Sequence, residues 1–482
     1  MTTAIRNEFR VFNVNTFINS FNSGNSLYMG IGKPTYWDLI QNTDIAPDIP
    51  ANDIIGSARD WEDMMQLKLV NPANISNGFF KELWNPNTKY DCYRHDWSGV
   101  RQSVYNGSNQ FTPTPMSLAD AKYYVVTANY NIYVCLRQNI VGGIIQPSTQ
   151  SPDTGVAVGT NTGMYKTSDG YIWKFIAITT PSDVVKFMTD TYHPVETLTA
   201  APGINDPYYQ QWLSQSNSAS FKQGVYVINV LNGGSGYNGG ASGVLSFPSA
   251  SISIVGNGTG LAGNVTFGSG GVVQSIDVTN PGTGYTFLTM SITGGTNFTY
   301  DPIYTSSWGL GTDPARDMSA FYCIINSTFN SDEGGVFTVT NDYRKICLVV
   351  NPTNYNSSTI CNSQTQDATI TLVLTGGGGA TGYLSDEVVT DSVTGAKGCV
   401  VDWNTTTGHL RIIRTSIENF GMAGAANAFT VGSTVQPGTG QISTITTPTI
   451  QPGNGSIIYA EYRTPITRSL GQSENITLVL EF

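Results

Sequence analysis

Asn-Gly occurs six times in this chain, at Asn77, Asn106, Asn232, Asn238, Asn257 and Asn454. That dipeptide is the strongest short-range signal for a β-hairpin, because both residues tolerate the positive φ of a tight type I′ turn. The composition around it favours strands and turns over helices: 52 glycines, abundant Asn, Ser and Thr, and 11% aromatics. Only 12% of residues are charged while 40% are hydrophobic, and the charged share is about half the usual one. A chain of 482 residues holds enough apolar material for roughly two to four domains with real cores. The expected fold is mainly β: a multi-domain β-sandwich core with short helices and small inserted β modules.

Charge removes several function classes. The net charge is −11, and 23 basic residues are scattered without a basic block, whereas a nucleic-acid surface needs clustered Lys and Arg. No apolar run approaches the ~18 residues of a spanning helix. The opening MTTAIRNEFR lacks the apolar segment of a signal peptide, so folding in a cytoplasm is expected. The six cysteines, Cys92, Cys135, Cys323, Cys347, Cys361 and Cys399, contain no C-x-x-C pair. They are read as small buried hydrophobes; a Cys347–Cys361 bridge is geometrically open but disfavoured in a reducing compartment.

Along the chain, 6–21 reads as a short amphipathic helix with Phe9, Phe12, Phe17 and Phe21 as its apolar positions. Ser57-x-x-Asp60 has the spacing of a capping box ahead of Trp61, Met64 and Met65. Strands are expected at 123–126, 132–136 and 171–179, the last stopped by Pro181. A helical piece opens at Asp206-Pro207, and the Ser/Asn-rich stretch 214–220 reads as a linker. Near 222 the composition shifts to Gly, Ser, Thr and Val, and an internal repeat appears. INVLNGGSGY, from Ile228, aligns with IDVTNPGTGY, from Ile276, each copy a strand, a glycine-rich turn and an aromatic that covers the next strand. After Asn351-Pro352 come further short strands at 384–389, 400–403 pairing with 410–413, and 429–435, the spacing of a small barrel or sandwich.

Candidate chemistry is sparse. Asp91-Cys92-Tyr93-Arg94-His95-Asp96-Trp97 crowds possible metal ligands together, but a zinc site needs further Cys or His ligands, so a locally packed turn is the favoured reading. His193 and His409 are expected at the surface or on edges. Gly233-Gly234-Ser235-Gly236, the Gly376–379 run and Thr394-Gly395-Ala396-Lys397-Gly398 lack the Lys-Ser/Thr and helix of a phosphate loop and read as turns. The acid pairs Asp332-Glu333 and Asp386-Glu387 read as solvated turns rather than a glycosidase dyad. No catalytic, cofactor-binding or metal residue is assigned, and no cofactor or small-molecule substrate is expected.

The last block, GSIIYAEYRTPITRSLGQSENITLVLEF, holds two strand patterns around a Gly471-Gln472-Ser473 turn, so the terminus is expected to pair into a sheet. This block resembles the C-terminal end of the baseplate wedge subunit family (gene product eight) of T-even contractile-tail bacteriophages. Matches recur in family order: Glu8-Phe9-Arg10, Phe21-Asn22-Ser23, Ile45-Ala46-Pro47, Trp61-Glu62-Asp63-Met64-Met65, Arg94-His95-Asp96-Trp97, 169–175 with 181–184, and Tyr343-Arg344-Lys345-Ile346 before Asn351-Pro352. They cover about 1–221, 313–352 and 453–482, which are read as a core, with 222–312 and 353–452 as two inserted small β modules. The resemblance implies a non-enzymatic virion protein of the tail baseplate, assembled in the host cytoplasm. It implies a homodimer that contacts other baseplate wedge proteins. A fibre-like carbohydrate- or receptor-binding protein and a tail-associated polysaccharide hydrolase are the alternatives. If the terminal strand is structural, deleting 475–482 exposes the face of Ile476, Leu478, Leu480 and Phe482, each worth roughly 1.5–3 kcal/mol when buried. The truncated chain is expected to be insoluble or to fail to assemble; a soluble, dimeric truncation with unchanged melting shows the strand to be a free tail that awaits a partner's sheet edge.

Overall fold

The computed structural model describes residues 5–33, 53–95, 121–141, 144–331, 333, 342–375, 382–416, 418–421, 428–431 and 439–482. Ile45-Ala46-Pro47, Asp96, Trp97, Asn106, Asp332 and the glycine run at 376–379 lie outside the described residues. The architecture is mainly β, a set of antiparallel sheets with few short helices. No helix among the described residues is long and apolar enough to cross a membrane. The chain forms two compact units: Met1–Asn15 with Ser76–Ile324 and Val479–Phe482, and Thr16–Ile75 with Ile325–Leu478.

The first unit is organised around a five-stranded sheet ordered Tyr124–Val126, Asn131–Arg137, Ile172–Ile178, Met164–Lys166, Val156–Val158. Alternation along Asn131–Arg137 sends Ile132, Val134 and Leu136 into one apolar cluster and Tyr133 and Cys135 into another, so both faces are covered. The chain leaves this sheet at Ile178, and Pro181 then occupies the first turn of the helix Pro181–Phe187, capped by the Thr180 side chain, where a missing N–H costs nothing. The helix expected near 206–212 runs instead over Tyr209–Ser218. The stretch read as a linker is therefore helix and a 3-10 turn, held because Gln211, Gln215 and Ser218 are buried and hydrogen-bonded. Tertiary hydrogen bonds overrode weak local propensity.

Two other local expectations are corrected. The helix Asn7–Asn22 buries Val11, Val14 and Phe21, while Phe9 and Phe12 are more than half exposed. The valines and Phe21 share one stripe at helical spacing, and Phe9 and Phe12 fall outside it. Ser57 falls inside the helix Ile54–Glu62 and not at its start, its side chain lying outside the described residues, and Met64 already begins the strand Met64–Leu69. Asn-Gly, too, acts differently at different places. At Asn238-Gly239 both φ values are positive, as a tight turn requires. Asn77-Gly78 instead lies inside the strand Ile75–Phe80, where a Cβ on Gly78 would stand 2.6 Å from Ile324 Cδ1. There glycine permits close approach and not a turn.

Residues 225–304 carry their own apolar core, including Ile228, Phe247, Val265, Ile276 and Met290. The strands are Val225–Ser235 with Thr296–Tyr304, Gly243–Phe247 with Thr259–Phe267 and Val273–Thr283, and Ile252–Gly256 with Leu288–Ile292. The two sequence copies are structural copies. Asn232 Oδ1 accepts from Gly234 N at 2.9 Å and Asn280 Oδ1 from Gly282 N at 3.0 Å. Gly234 and Gly282 take φ of +60° and +63°. Tyr237 lies against Gly295 and Tyr285 against Gly258, each so close that a Cβ would stand 2.4 Å from a ring carbon. The glycine-rich pieces are not free turns, since the strands Val225–Ser235 and Val273–Thr283 run through them with shifts of register.

The second unit has a five-stranded sheet ordered Thr365–Asp367, Met64–Leu69, Leu27–Gly32, Asp342–Val350, Ser456–Thr467. Gly30 pairs with Cys347, and a Cβ on Gly30 would stand 2.7 Å from both Cys347 Sγ and Met64 Sδ. Cys347 Sγ faces Met64 Sδ at 3.4 Å, and Cys361 is a free buried thiol. The edge strand Ser456–Thr467 twice loses register with its neighbour and contains Pro465, devices that blunt a sheet edge. Residues 370–446 contribute a closed six-stranded barrel ordered Ile370–Thr375, His409–Arg414, Lys397–Asn404, Val388–Asp391, Ala428–Val431, Thr439–Thr446. Leu372, Val400, Leu410, Ile412 and Ile442 fill it. Val400 pairs with Ile412 and Trp403 with Leu410, the hairpin read from the sequence, while the strand expected from 384 begins only at Val388.

The terminus is paired as expected: Ser473–Glu481 is a strand, and Phe482 N–H donates to Phe321 O at 3.2 Å. Ile476 and Leu478 are buried, and Leu480 and Phe482 are half-buried. The tyrosine–glycine contacts yield a direct test. Gly258→Ala drives a Cβ into the Tyr285 ring and should cost ~1–3 kcal/mol through overpacking. Gly203→Ala meets nothing within 4 Å and should stay within ~0.5 kcal/mol of the native chain. Urea unfolding of both variants reads the difference.

Candidate functional site

The histidine-centred motif is a packing tie. His95 Nδ1 accepts from Tyr304 N at 3.3 Å and its ring meets Tyr304 edge-on at 4.9 Å, while Arg94 pairs with Asp301 at 2.8 Å. Asp91 Oδ2 accepts from Lys122 N at 3.0 Å. Among the described residues no group of three or more His, Cys, Asp and Glu is placed to hold a metal ion. Thr394 and Gly395 close a turn, with Gly395 at φ +76°, and Lys397 and Gly398 already begin the strand Lys397–Asn404. The backbone N–H groups of Val393 and Thr394 point to Asp391, whose carboxyl is held below the usual range, against the opposing effect of burial, by a bond from Gly421 N and by these two.

His409 is exposed at the start of His409–Arg414. His193 is on an edge strand, as one of the two expectations had it, but it is not at the surface. It lies in Tyr192–Val195, paired with Phe79, yet is fully buried, with Nε2 2.8 Å from Thr179 Oγ1. Burial, helped by Lys81, pushes its pKa down to about 3, so the imidazole is neutral. Asp386 and Glu387 are corrected too: neither is a solvated turn residue. Asp386 pairs with Lys33 at 2.6 Å and Glu387 accepts from Leu384 N at 3.2 Å. Burial raises both carboxyl pKa values.

What the sequence reading missed is a set of buried charges. In the second unit Arg344 and Lys345 sit side by side in a strand whose interior is wholly buried. Alternation directs them to opposite faces. Lys345 reaches Asp60 at 2.9 Å and Asp63 at 3.4 Å, with the Tyr462 ring 5.3 Å away. Arg344 reaches Asp342 at 3.2 Å, and Asp342 also pairs with Lys33. Arg468 pairs with Glu474 at 2.8 Å and donates to the carbonyls of Asn330 and Ser331. In the first unit Lys174 and Asp317 are both buried. The available signal was charge inside strand patterns, as in Tyr343-Arg344-Lys345-Ile346.

These arrangements hold strands together; they offer no access for a substrate. Lys174 has an amine poised near neutrality, its pKa lowered by burial to about 7, but it is sealed in the core. A cleft of about 300 Å³ in the second unit is lined by Phe21, Leu27, Leu69, Val70, Ile360 and Cys361, and brings no ionisable side chain other than the thiol. That thiol is pushed up to about 11 by burial and is no nucleophile near neutrality.

No family model matches the chain. The baseplate wedge protein gp8 of Enterobacteria phage T4 is 22% identical over 199 residues, an alignment covering 39% of this chain and 59% of that protein. The chain thus spans less than two thirds of the length of this relative.

The buried imidazole generates a pH prediction. The unfolded chain binds a proton at His193 below about 6.5 and the folded chain only below about 3, so stability is lost as pH falls through that window. His193→Gln keeps a partner for Thr179 and cannot titrate. Its urea midpoint should fall less steeply than that of the native chain between pH 6.5 and 4; parallel profiles contradict the assignment.

Proposed function

We propose that this chain is a structural protein of a phage tail baseplate, and more closely a wedge subunit of a contractile tail. The observation that carries the reading is the similarity to the phage T4 wedge protein. The ordered matches along about 1–221, 313–352 and 453–482 agree with it. On this reading the protein resides in the virion, assembles in the host cytoplasm, and serves tail assembly and host attachment by holding neighbours rather than by chemistry. It forms a homodimer and contacts other wedge proteins. The segments 222–312 and 353–452 are accessory modules carried on the core.

Surface chemistry supports an assembly role. The short hairpin of Ile140–Val141 and Ile144–Ile145 exposes Ile140, Val141 and Ile144, and Phe9 is also exposed. Exposed apolar groups of this kind are often covered by partners. The buried charges at Lys33, Arg344, Lys345 and Arg468 are engaged in ion pairs, which fits a structural role.

Sedimentation equilibrium of the purified chain should give a dimer, and co-expression with the other wedge proteins of the same phage should yield a co-purifying complex. A trimer that adheres to host cells would favour the fibre-like reading. Clearing of host polysaccharide would favour the hydrolase.

A further inference from the structure

Both chain ends of the 222–312 segment converge on one buried lysine. Lys174 Nζ donates to Thr162 O at 2.9 Å and to Ser218 Oγ at 2.8 Å. Ser218 closes the helix that leads into the segment. On the returning side, a Cβ on Gly311 would stand 3.2 Å from Lys174 Nζ, and one on Gly309 would stand 2.5 Å from Ser218 O. The two stems are tied to each other as well: Gln223 N donates to Ser306 O at 3.0 Å and Gly224 N to Thr305 Oγ1 at 3.0 Å. Asp317 then grips the same returning stem, its carboxylate accepting from Gly311 N at 2.6 Å and Trp308 Nε1 at 3.1 Å. Its own carbonyl accepts from Tyr123 OH at 3.0 Å.

Each of these charges is therefore hydrogen-bonded by neutral groups, and among the described residues neither enters an ion pair; each is close enough to the other for their opposite charges to offset part of the effect of burial, which remains the larger. The other ionisable groups around them are Tyr93, Tyr123 and Tyr226, all kept neutral by burial, and Asp313. Lys174 lies 5.6 Å from the Tyr226 ring. Next to Asp317, Arg316 stacks on Trp308 at 3.5 Å and meets Glu8 at 3.4 Å. An unpaired charge in such surroundings is costly and is relieved by a change of protonation. We propose that Lys174 and Asp317 form a proton-sensitive clamp on the stem of the 222–312 module, weakest when both are charged and tighter when either is neutral.

Burial, the leading cause for each, pushes the Asp317 carboxyl up to about 7 and the Lys174 ammonium down to about 7. Below that point the folded chain keeps a proton on Asp317 that the unfolded chain has lost, so stability from this group falls as pH rises toward 7. Above it the unfolded chain keeps a proton on Lys174 that the folded chain lacks, so stability from this group rises with pH. The pair thus places a minimum near neutrality.

The test compares urea midpoints of the full chain at pH 5, 7 and 9 for the native protein, Asp317→Asn and Lys174→Met. The midpoint of Asp317→Asn should gain on the native between pH 5 and 7, and that of Lys174→Met should lose ground between pH 7 and 9. Profiles parallel to the native for both variants overturn the clamp. If the variants do not fold, hydrogen exchange of the native chain decides. After correction for intrinsic rates, exchange across 306–317 should be fastest near pH 7, and a pH-independent rate overturns the proposal.

Discussion

A strand covered on both faces leaves its charges nowhere to go but into one another. Asp342–Val350 lies between Leu27–Gly32 and Ser456–Thr467 and is buried over its whole interior, yet it carries Arg344 and Lys345. The desolvation cost of such groups exceeds the worth of any single interaction nearby. It is offset only because Asp60, Asp63 and Asp342 meet them and Lys33 completes the Asp342 site. The consequences spread through that unit. The helix Ile54–Glu62 and the residue after it must deliver Asp60 and Asp63, Asp386 must take a positive φ to reach Lys33, and Gly30 must lack a side chain where Cys347 and Met64 crowd in. Removing one charge would strand its partners, so the cluster on each face of the strand behaves as a unit rather than as separate ion pairs.

The 222–312 segment solves a different problem, that of building a core from short strands rich in glycine. Its answer is the tyrosine laid flat on a glycine, used twice. Tyr237 on Gly295 and Tyr285 on Gly258 bring a large apolar ring against bare backbone, and each hydroxyl finds a backbone N–H, from Phe298 and from Leu261. The hydrogen bond that the glycine N–H donates to the Asn side-chain oxygen two residues earlier fixes the bend that aims each ring. The duplicated motif is therefore a packing device, and its glycines are required by contact as much as by φ. Lys174 donates to Ser218 and lies against Gly311, so a buried amine and an aromatic repeat adjoin the same segment.

Much of this was legible in the residues. Alternating β-branched and aromatic runs give strands because side chains of a pleated strand face opposite ways, and that placed the strands at 124–126, 131–137, 172–178, 397–404, 409–414 and 473–481 closely. The repeat at Ile228 and Ile276 was readable because one local mechanism recurs in one local pattern. Composition and charge were enough to give a mainly β chain. The order of short motifs at both ends was enough to point toward phage baseplate proteins, a direction that the distant similarity to the T4 wedge protein supports. None of these inferences needs a long-range contact.

Other features depended on contacts that sequence distance hides. Whether Asn-Gly turns or runs on as a strand was decided at Asn77 by Ile324, far along the chain. Which aromatic of the first helix faces inward was settled by the packing of Val11 and Val14, and Ser/Asn-rich residues became helix because Gln211, Gln215 and Ser218 found partners elsewhere. That His193 is buried and neutral, and which partners meet Lys174, Arg344 and Lys345, was hidden for the same reason, although charge inside a strand pattern marked the last two. Burial and a counter-charge are properties of a place in the fold, whereas periodicity and turn chemistry belong to the residues themselves. The sequence by itself determined the class of structure and the repeat; only the tertiary structure decided which polar groups would be taken out of water and what would meet them there.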